Sequence, residues 1–317
     1  MANEILNKYP QAPVVGCVRV DNDADVDASV VYFTKKLDAE HLIKMYNLVN
    51  QEISGKVAIK LHTGEEHGPN ILPRAWVKAL QATIPNSKIV ETNTLYKGTR
   101  YTTEAHRKTL EVNGWTFCDV DIMDEFGSVV LPVKNPFHLK EVSMGKSLVT
   151  YDSLLVLTHF KGHAMGGFGG SMKNIAIGCA DGREGKATVH AVDVNNQPAD
   201  WNAWPAKELL MENMADSAMA TCDFFGKKIT FVNVLRRMSV DCDCAGTAAA
   251  EPTIPDIGII ASTDILAADQ ASMDLVYNSA KNQDLVKRIE TRHGLRQLSA
   301  MSEHHMGKKF YKLVEIE

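Results

Sequence analysis

Short β-branched runs alternate with stretches of helical periodicity along the chain, the pattern of an α/β fold with a largely parallel sheet. KVAIKLH (Lys56 to His62) has the apolar character of a buried strand, and the polar loop TGEEHGPN follows it. Proline suits a first helical turn, so Leu72-Pro73 predicts a helix start. KIVETNT (Lys88 to Thr94) predicts the next strand, and LYKGTRY leads into a helix capped by Thr102 or Thr103 and stopped at Gly114. SLLVLTH (Ser153 to His159) is a third strand, followed by a long glycine-rich loop and a helix over Met172 to Ile177. Pro205 predicts a helix running to about Cys222. KKITFVNVL (Lys228 to Leu235) and DIGIIAST (Asp256 to Thr263) predict two more strands, the second feeding a helix capped at Ser262 or Thr263. Two further helices and the strand FYKLVEI close the chain.

The expected fold class is therefore α/β, with mostly parallel sheets and helices on both faces. MGK interrupts the pattern near residue 145 and suggests two α/β lobes, 1–145 and 146–317, with the site between them. The second lobe would carry the glycine-rich loop and the Cys-x-Cys motif.

Composition narrows the function classes. The 317 residues are 45% hydrophobic, enough for a core that needs no disulfide or metal to hold it. The net charge is −5, and no Lys/Arg stripe interleaved with aromatics offers a groove for nucleic acid. No segment approaches the roughly 18 apolar residues of a membrane span. The start, MANEILNKYPQAP, lacks the charged region and apolar core of a secretory signal. The expectation is a cytoplasmic protein with no nucleic-acid or membrane partner, a homo-oligomer staying open. Its six cysteines are too scattered for a disulfide scaffold, so in a reducing compartment each is a buried hydrophobe, a ligand or a reactive thiol.

The candidate chemistry lies in THFKGHAMGGFGGSMKNIAIGCADGREGKATVH, which gathers His159, His163 and His190, Lys161, Lys173 and Lys186, and a run of glycines. It begins where an apolar strand ends, and ligands of open α/β sheets sit beyond the carboxyl ends of strands. Gly166, Gly167, Gly169 and Gly170 would let backbone amides approach a cofactor, and the helix start that follows would favour an anion. Lys173 and Asn174 lie in that first turn, where a cation opposes the helix dipole unless an anion or covalent partner compensates. The alternative is a flexible loop with solvated histidines.

VDCDCAG supplies Cys242 and Cys244, whose side chains share one face of an extended segment. Paired thiolates suit zinc or an iron–sulfur centre, but two ligands are too few, so His190 and Cys179 are candidates to complete the set, with Cys222 and His163 behind them. Buried small residues at a strand end are the alternative. HTGEEHGPN, with His62, Glu65, Glu66 and His67, has metal-like composition or is a solvated acidic loop. Arg100, at a helix start beside His106, is placed to grip a carboxylate or phosphate. Asp264 and Asp269 read as helix caps, His304-His305 as surface, and Met211, Met214 and Met219 as core.

With these residues, the chain resembles the bacterial family catalogued as domain of unknown function (DUF) 362. The matching stretches are HFKGHAMGGFGGSMKNIAIGCADGREGKATVH, DCDCAG and PDIGIIASTDILAADQASMDLV, and the likeness runs from about Lys56 onward. Many relatives carry a ferredoxin-like insert rich in C-x-x-C after the last histidine. Here Ala191 to Phe225 holds only Cys222, so cluster-borne electron transfer is not implied. The chain is also distantly similar to the lactate racemase family, which uses a nickel–pincer nucleotide. That likeness implies a cofactor tether at Lys173, a metal ligand at His190 and an acid–base histidine at His163. Arg100 stands where that family's second catalytic histidine belongs, with His106 six residues on, and the Cys-x-Cys pair has no counterpart there.

These readings converge on a metal- or metallocofactor-dependent enzyme acting on a small anionic substrate, by epimerase- or racemase-like or redox chemistry on a hydroxy acid or sugar acid. His163 or His159 would carry protons, Lys173 and Arg100 would meet the anion, and His190 with Cys242, Cys244 and Cys179 would hold an iron–sulfur, zinc or nickel–pincer-like centre. Two other classes remain: a non-catalytic iron–sulfur or metal-binding accessory protein, and a nucleotide-binding module.

Overall fold

The computed structural model describes residues 12–13, 16–198 and 203–317. The first eleven residues, which bear most of the segment read against a secretory signal, lie outside them. The strands are β1 (Val18–Val20), β2 (Ala28–Thr34), β3 (Val57–Lys60), β4 (Ser87–Glu91), β5 (Asp121–Ile122), β6 (Ser128–Pro132), β7 (Glu141–Gly145), β8 (Ser153–His159), β9 (Lys161–His163), β10 (Gly167–Gly169), β11 (Ile229–Leu235), β12 (Gly258–Ser262) and β13 (Phe310–Glu315). The helices are α1 (Ala39–Asn47), α2 (Arg74–Ala82), α3 (Thr103–Val112), α4 (Ser171–Gly178), α5 (Glu184–Val189), α6 (Glu208–Phe225), α7 (Ile265–Tyr277), α8 (Gln283–Thr291) and α9 (Arg296–Glu303).

One nine-stranded sheet, in the order β1-β13-β2-β12-β11-β8-β3-β4-β5, organises these elements. Every pairing is parallel except those of β12, which runs antiparallel to both β11 and β2. The sheet is continuous across residue 145, because β8 pairs directly with β3. Alternation along the strands sends side chains to two separate cores. Leu154 and Val156 of β8 join α4, α6 and α7 on one face, whereas Leu155 and Leu157 join α1, α2 and α3 on the other. Helices therefore cover both faces, as the apolar runs predict.

Local chemistry sets the boundaries. Thr102 caps α3 by accepting from the Ala105 amide at 3.3 Å, and Gly114 beyond it takes a positive φ of 76°. The cap of α7 is Asp264 rather than Ser262 or Thr263; its carboxylate accepts from Ala267 N at 2.9 Å. Helix α6 starts at Glu208, three residues after Pro205, and buries Met211 and Met214. Part of the expected glycine-rich loop is the hairpin β9–β10. His304 is not a surface residue: its Nε2 meets the buried Asp216 carboxylate at 2.7 Å. Among the described residues no helix is long and apolar enough to cross a membrane.

Because β3, β4, β8 and β11 run parallel, their carboxyl ends emerge at one edge of the sheet. The segments that follow them carry the candidate chemistry.

Candidate functional site

A cavity of about 540 Å³ opens at that edge. Arg100, His163, Lys173, Asn174 and His190 line it, as do Cys242 and Cys244 from the segment after β11. Lys60 at the end of β3, His62 just after it, Glu91 at the end of β4 and Lys186 of α5 add to its polar wall.

The two lining histidines have their Nδ1 atoms committed in opposite senses. His163 Nδ1 accepts from the backbone amides of Met165 at 3.2 Å and Gly166 at 2.9 Å. Its proton therefore sits on Nε2, the nitrogen left for the cavity. His190 Nδ1 lies 2.7 Å from the Lys186 carbonyl, which only a ring N–H can satisfy, so its Nε2 offers a lone pair. Burial, then the Lys173 charge, holds His163 well below the usual histidine range. Burial likewise brings His190 down to about 4. Both rings are neutral at pH 7.

Cys242 and Cys244 place their sulfurs 2.9 Å apart, and His62 Nε2 lies 3.1 Å from Cys244 Sγ and 3.9 Å from Cys242 Sγ. The Cys242 bond lowers the Cys244 thiol well below the ordinary range against the pull of burial, helped by His62 and Arg100. Cys242 rises correspondingly, through its bond to Cys244 and through burial. The three donor atoms look like a metal triad. However, His62 Nδ1 accepts from the Gly64 amide at 2.9 Å, which leaves the proton on Nε2. A metal-bound imidazole donates from its other nitrogen. His62 is thus a hydrogen-bond donor to the Cys244 thiolate; His190 lies outside the cluster of His62, Cys242 and Cys244, but its tautomer leaves the lone pair a ligand needs.

Two cations of the wall are balanced by carboxylates. Lys60 pairs with Glu91 at 2.9 Å, and Arg100 pairs with Glu65 at 2.9 Å and approaches Glu91 at 3.6 Å. Lys186 donates to Thr92 Oγ1 and the Ala180 carbonyl, and burial draws it down to about 8. Lys173, 9% exposed, has no hydrogen-bond or ion-pair partner among the described residues.

Other expected site residues lie elsewhere. His159 continues the row of Leu155 and Leu157 and so points to the sheet face opposite α4. Its ring meets Asp243 at 2.9 Å and the Arg236 carbonyl at 2.8 Å, leaving no nitrogen for a substrate. Gly166, Gly167, Gly169 and Gly170 do not line the cavity. A side chain at Gly167 would meet Gly294 Cα at 2.7 Å, and one at Gly170 would meet the Asp269 carboxylate at 2.6 Å. Asp269 also occupies the α4 start, accepting from Ser171 N at 2.7 Å and Met172 N at 2.9 Å, so those amides are taken. Asn174 spends its amide on Thr158 Oγ1 at 3.0 Å and the Lys60 side chain at 3.2 Å. Cys179 is buried in the core, pushed by burial to about 11, and lies outside the sulfur cluster.

The wall also includes residues that sequence reasoning did not assign, namely Lys60, Glu91 and Lys186. A lysine at the end of an apolar strand was the one available signal for Lys60, because a buried ammonium requires a partner.

The chain matches the family described as domain of unknown function (DUF362) over residues 57–274. No curated protein matches it. Among solved structures it is similar to the lactate racemase apoprotein from Thermoanaerobacterium thermosaccharolyticum, at 13% identity and a TM-score of 0.45, over 82% of this chain and 59% of that one. It is similar to a protein from Thermotoga maritima at 12% identity and a TM-score of 0.44, over 84% of this chain and 60% of that one. The chain thus spans about three-fifths of the length of each.

Proposed function

The chain belongs to the DUF362 family, whose description assigns no activity, and from its cavity we propose a metal-dependent enzyme that moves a proton on a small anionic substrate. The observation that carries this reading is the pair of sulfurs, 2.9 Å apart, on the wall that His163, His190 and Lys173 also line. Two sulfurs each about 2.3 Å from a tetrahedral ion stand about 3.8 Å apart, so Cys242 and Cys244 need part by only about 1 Å. They would hold a thiophilic ion, and His190, which lies outside the cluster of His62, Cys242 and Cys244, would have to approach the sulfurs to join them. Such an ion supplies Lewis acidity toward a substrate oxygen.

The chain's own groups supply the rest. His163, neutral and protonated on Nε2, donates a hydrogen bond to a substrate oxygen as an uncharged electrophile. Lys173 meets the anionic group. Lys186, brought down to about 8, exchanges a proton near neutral pH. The nucleotide-binding alternative loses support because Asp269 occupies the helix start that would cradle a phosphate.

Elemental analysis of purified protein tests the reading. The expected result is a transition metal in the wild type, lost in Cys242→Ala, Cys244→Ala and His190→Ala. A metal-free wild type from supplemented medium, or unchanged metal in both cysteine variants, would sink it. A second reading, a metallocofactor tethered to Lys173 as the lactate racemase resemblance implies, is favoured by the absence of any partner for that amine among the described residues. A mass increment on Lys173 in the native protein would establish it.

A further inference from the structure

We propose that the substrate is a monocarboxylate with a bulky apolar body, its carboxylate paired with Lys173 and its body lying against Leu95, Met165, Ile177 and Trp204. The inference rests on reading this cavity as the substrate site.

Charge identifies the head group. An ammonium taken from water without a counter-ion is strongly disfavoured. Lys60 and Arg100 have carboxylates of the chain beside them. Lys186 donates to two oxygens. Lys173, at 9% exposure, is the least buried of the four, and among the described residues it has no hydrogen-bond or ion-pair partner. The counter-ion would therefore arrive with the ligand, and a single carboxylate answers the Lys173 ammonium, while Lys186 keeps its two neutral oxygen partners. Lys97 also lines the cavity, but it is exposed and keeps its hydration.

Size and lining identify the body. A cavity of about 540 Å³ lies within the range of about 300–1,000 Å³ that encloses drug-sized ligands, and a three-carbon acid would leave most of it unfilled. The wall beyond Lys173 is apolar: Leu95 and Met165 are buried, and Ile177 is partly so. Trp204 sets its ring edge-on to His190 with centroids 5.4 Å apart, so the apolar wall continues up to the proposed reacting groups. A ligand that satisfied Lys173 alone would leave this wall facing water.

Isothermal titration of the full-length protein with 3-phenyllactate, lactate and 3-phenyllactamide tests both halves. Phenyllactate is expected to bind at least about tenfold more tightly than lactate, and about tenfold or more tightly than its amide. Lys173→Met should erase the difference between acid and amide. Trp204→Ala should erase the preference for the phenyl group, and Ile177→Ala should reduce it if the tryptophan variant does not fold. Equal binding of lactate and phenyllactate, equal binding of acid and amide, binding of none of the three, or a covalent adduct on Lys173 would overturn the proposal. Metal content measured on the same samples separates the two ideas. Metal present with no selectivity overturns only the substrate class, whereas selectivity in metal-free protein overturns only the metal reading.

Discussion

His163 and His190 line one cavity as opposite tautomers: His163 Nδ1 accepts two backbone amides, whereas His190 Nδ1 donates to the Lys186 carbonyl. One ring thus offers an N–H and the other a lone pair, without either carrying charge. The segments that impose this are short. A tight turn folds the amides of residues 165 and 166 back onto the first ring, and the end of α5 leaves a carbonyl under the second.

The tautomers are directly observable. Long-range proton–nitrogen spectra should show His163 protonated on Nε2 and His190 on Nδ1, with neither ring gaining a proton between pH 8 and 6. His190 should titrate near about 4. A charged His163 at pH 6.5, or the same tautomer for both, would remove the division of roles.

The same shifts bear on stability. The folded values of His106, about 3, and His190, about 4, lie below the unfolded value of about 6.5. Between those limits the unfolded chain binds more protons, so stability declines as pH falls from 6.5 towards 4. Asp269, raised by burial to about 6, acts in the opposite sense: its contribution declines as pH rises from the ordinary carboxylate value to 6. Urea midpoints measured at pH 7 and pH 5 should fall less for His190→Gln than for the wild type, and more for Asp269→Asn. Identical slopes in all three proteins would contradict these assignments.

Lys186 should react as an unusual amine. With burial drawing it to about 8, competitive acetylation should show half-maximal reactivity there, against about 10.4 for an ordinary lysine. Labelling that rises only above pH 10 would remove Lys186 as a proton carrier.

Which segments line the cavity was partly readable from the sequence, because the motif after β8 and the Cys-x-Cys pair are local signals. What lay beyond reach depended on spatial order. Lys60, His62 and Glu91 reach the cavity only because β3 lies between β8 and β4, which no local pattern encodes. His159 and His163 look equivalent in sequence, yet strand alternation turns His159 to the other face. The glycines misled for a physical reason: a missing Cβ serves close packing and anion binding alike. At Gly170 it makes room for Asp269, and the carboxylate that fills the α4 start comes from 98 residues away. The antiparallel β12 was hidden because a strand buried on both faces reads the same in either direction.

That account of the glycines has a consequence. Gly170→Ala would drive a methyl group against the Asp269 carboxylate at 2.6 Å and disturb the bonds to Ser171 N and Met172 N. A loss of about 1–3 kcal/mol is expected from overpacking, read as a lower urea midpoint, with metal content unchanged. Loss of metal without loss of stability would instead place Gly170 in the ligand cradle.

The sulfur pair and its neighbours can be separated by substitution. Cys179→Ala should leave metal content unchanged, since that thiol lies in the core and outside the cluster. His62→Gln should also retain metal, because the glutamine amide can still donate to the Cys244 sulfur. Metal lost in His62→Gln but retained in His190→Ala would reverse the assignment of the ligating ring.

Arg100 is held beside the Cys244 sulfur, 4.0 Å away, by a carboxylate rather than by the thiolate itself. Burial works to raise the Glu65 carboxyl, but the Arg100 charge and the bonds from Thr99 and Tyr96 outweigh it and keep it below the ordinary range. Arg100 is 3% exposed in its side chain and Glu65 13%, so removing one partner strands a charge away from water. Glu65→Gln should therefore cost about 3–5 kcal/mol, the range for breaking one half of a buried pair. Arg100→Met should be comparably damaging, and the double variant should be less destabilised than the sum of the two singles by at least about 1.5 kcal/mol. Additive losses would mean that Glu91, 3.6 Å from the guanidinium, balances Arg100 without Glu65.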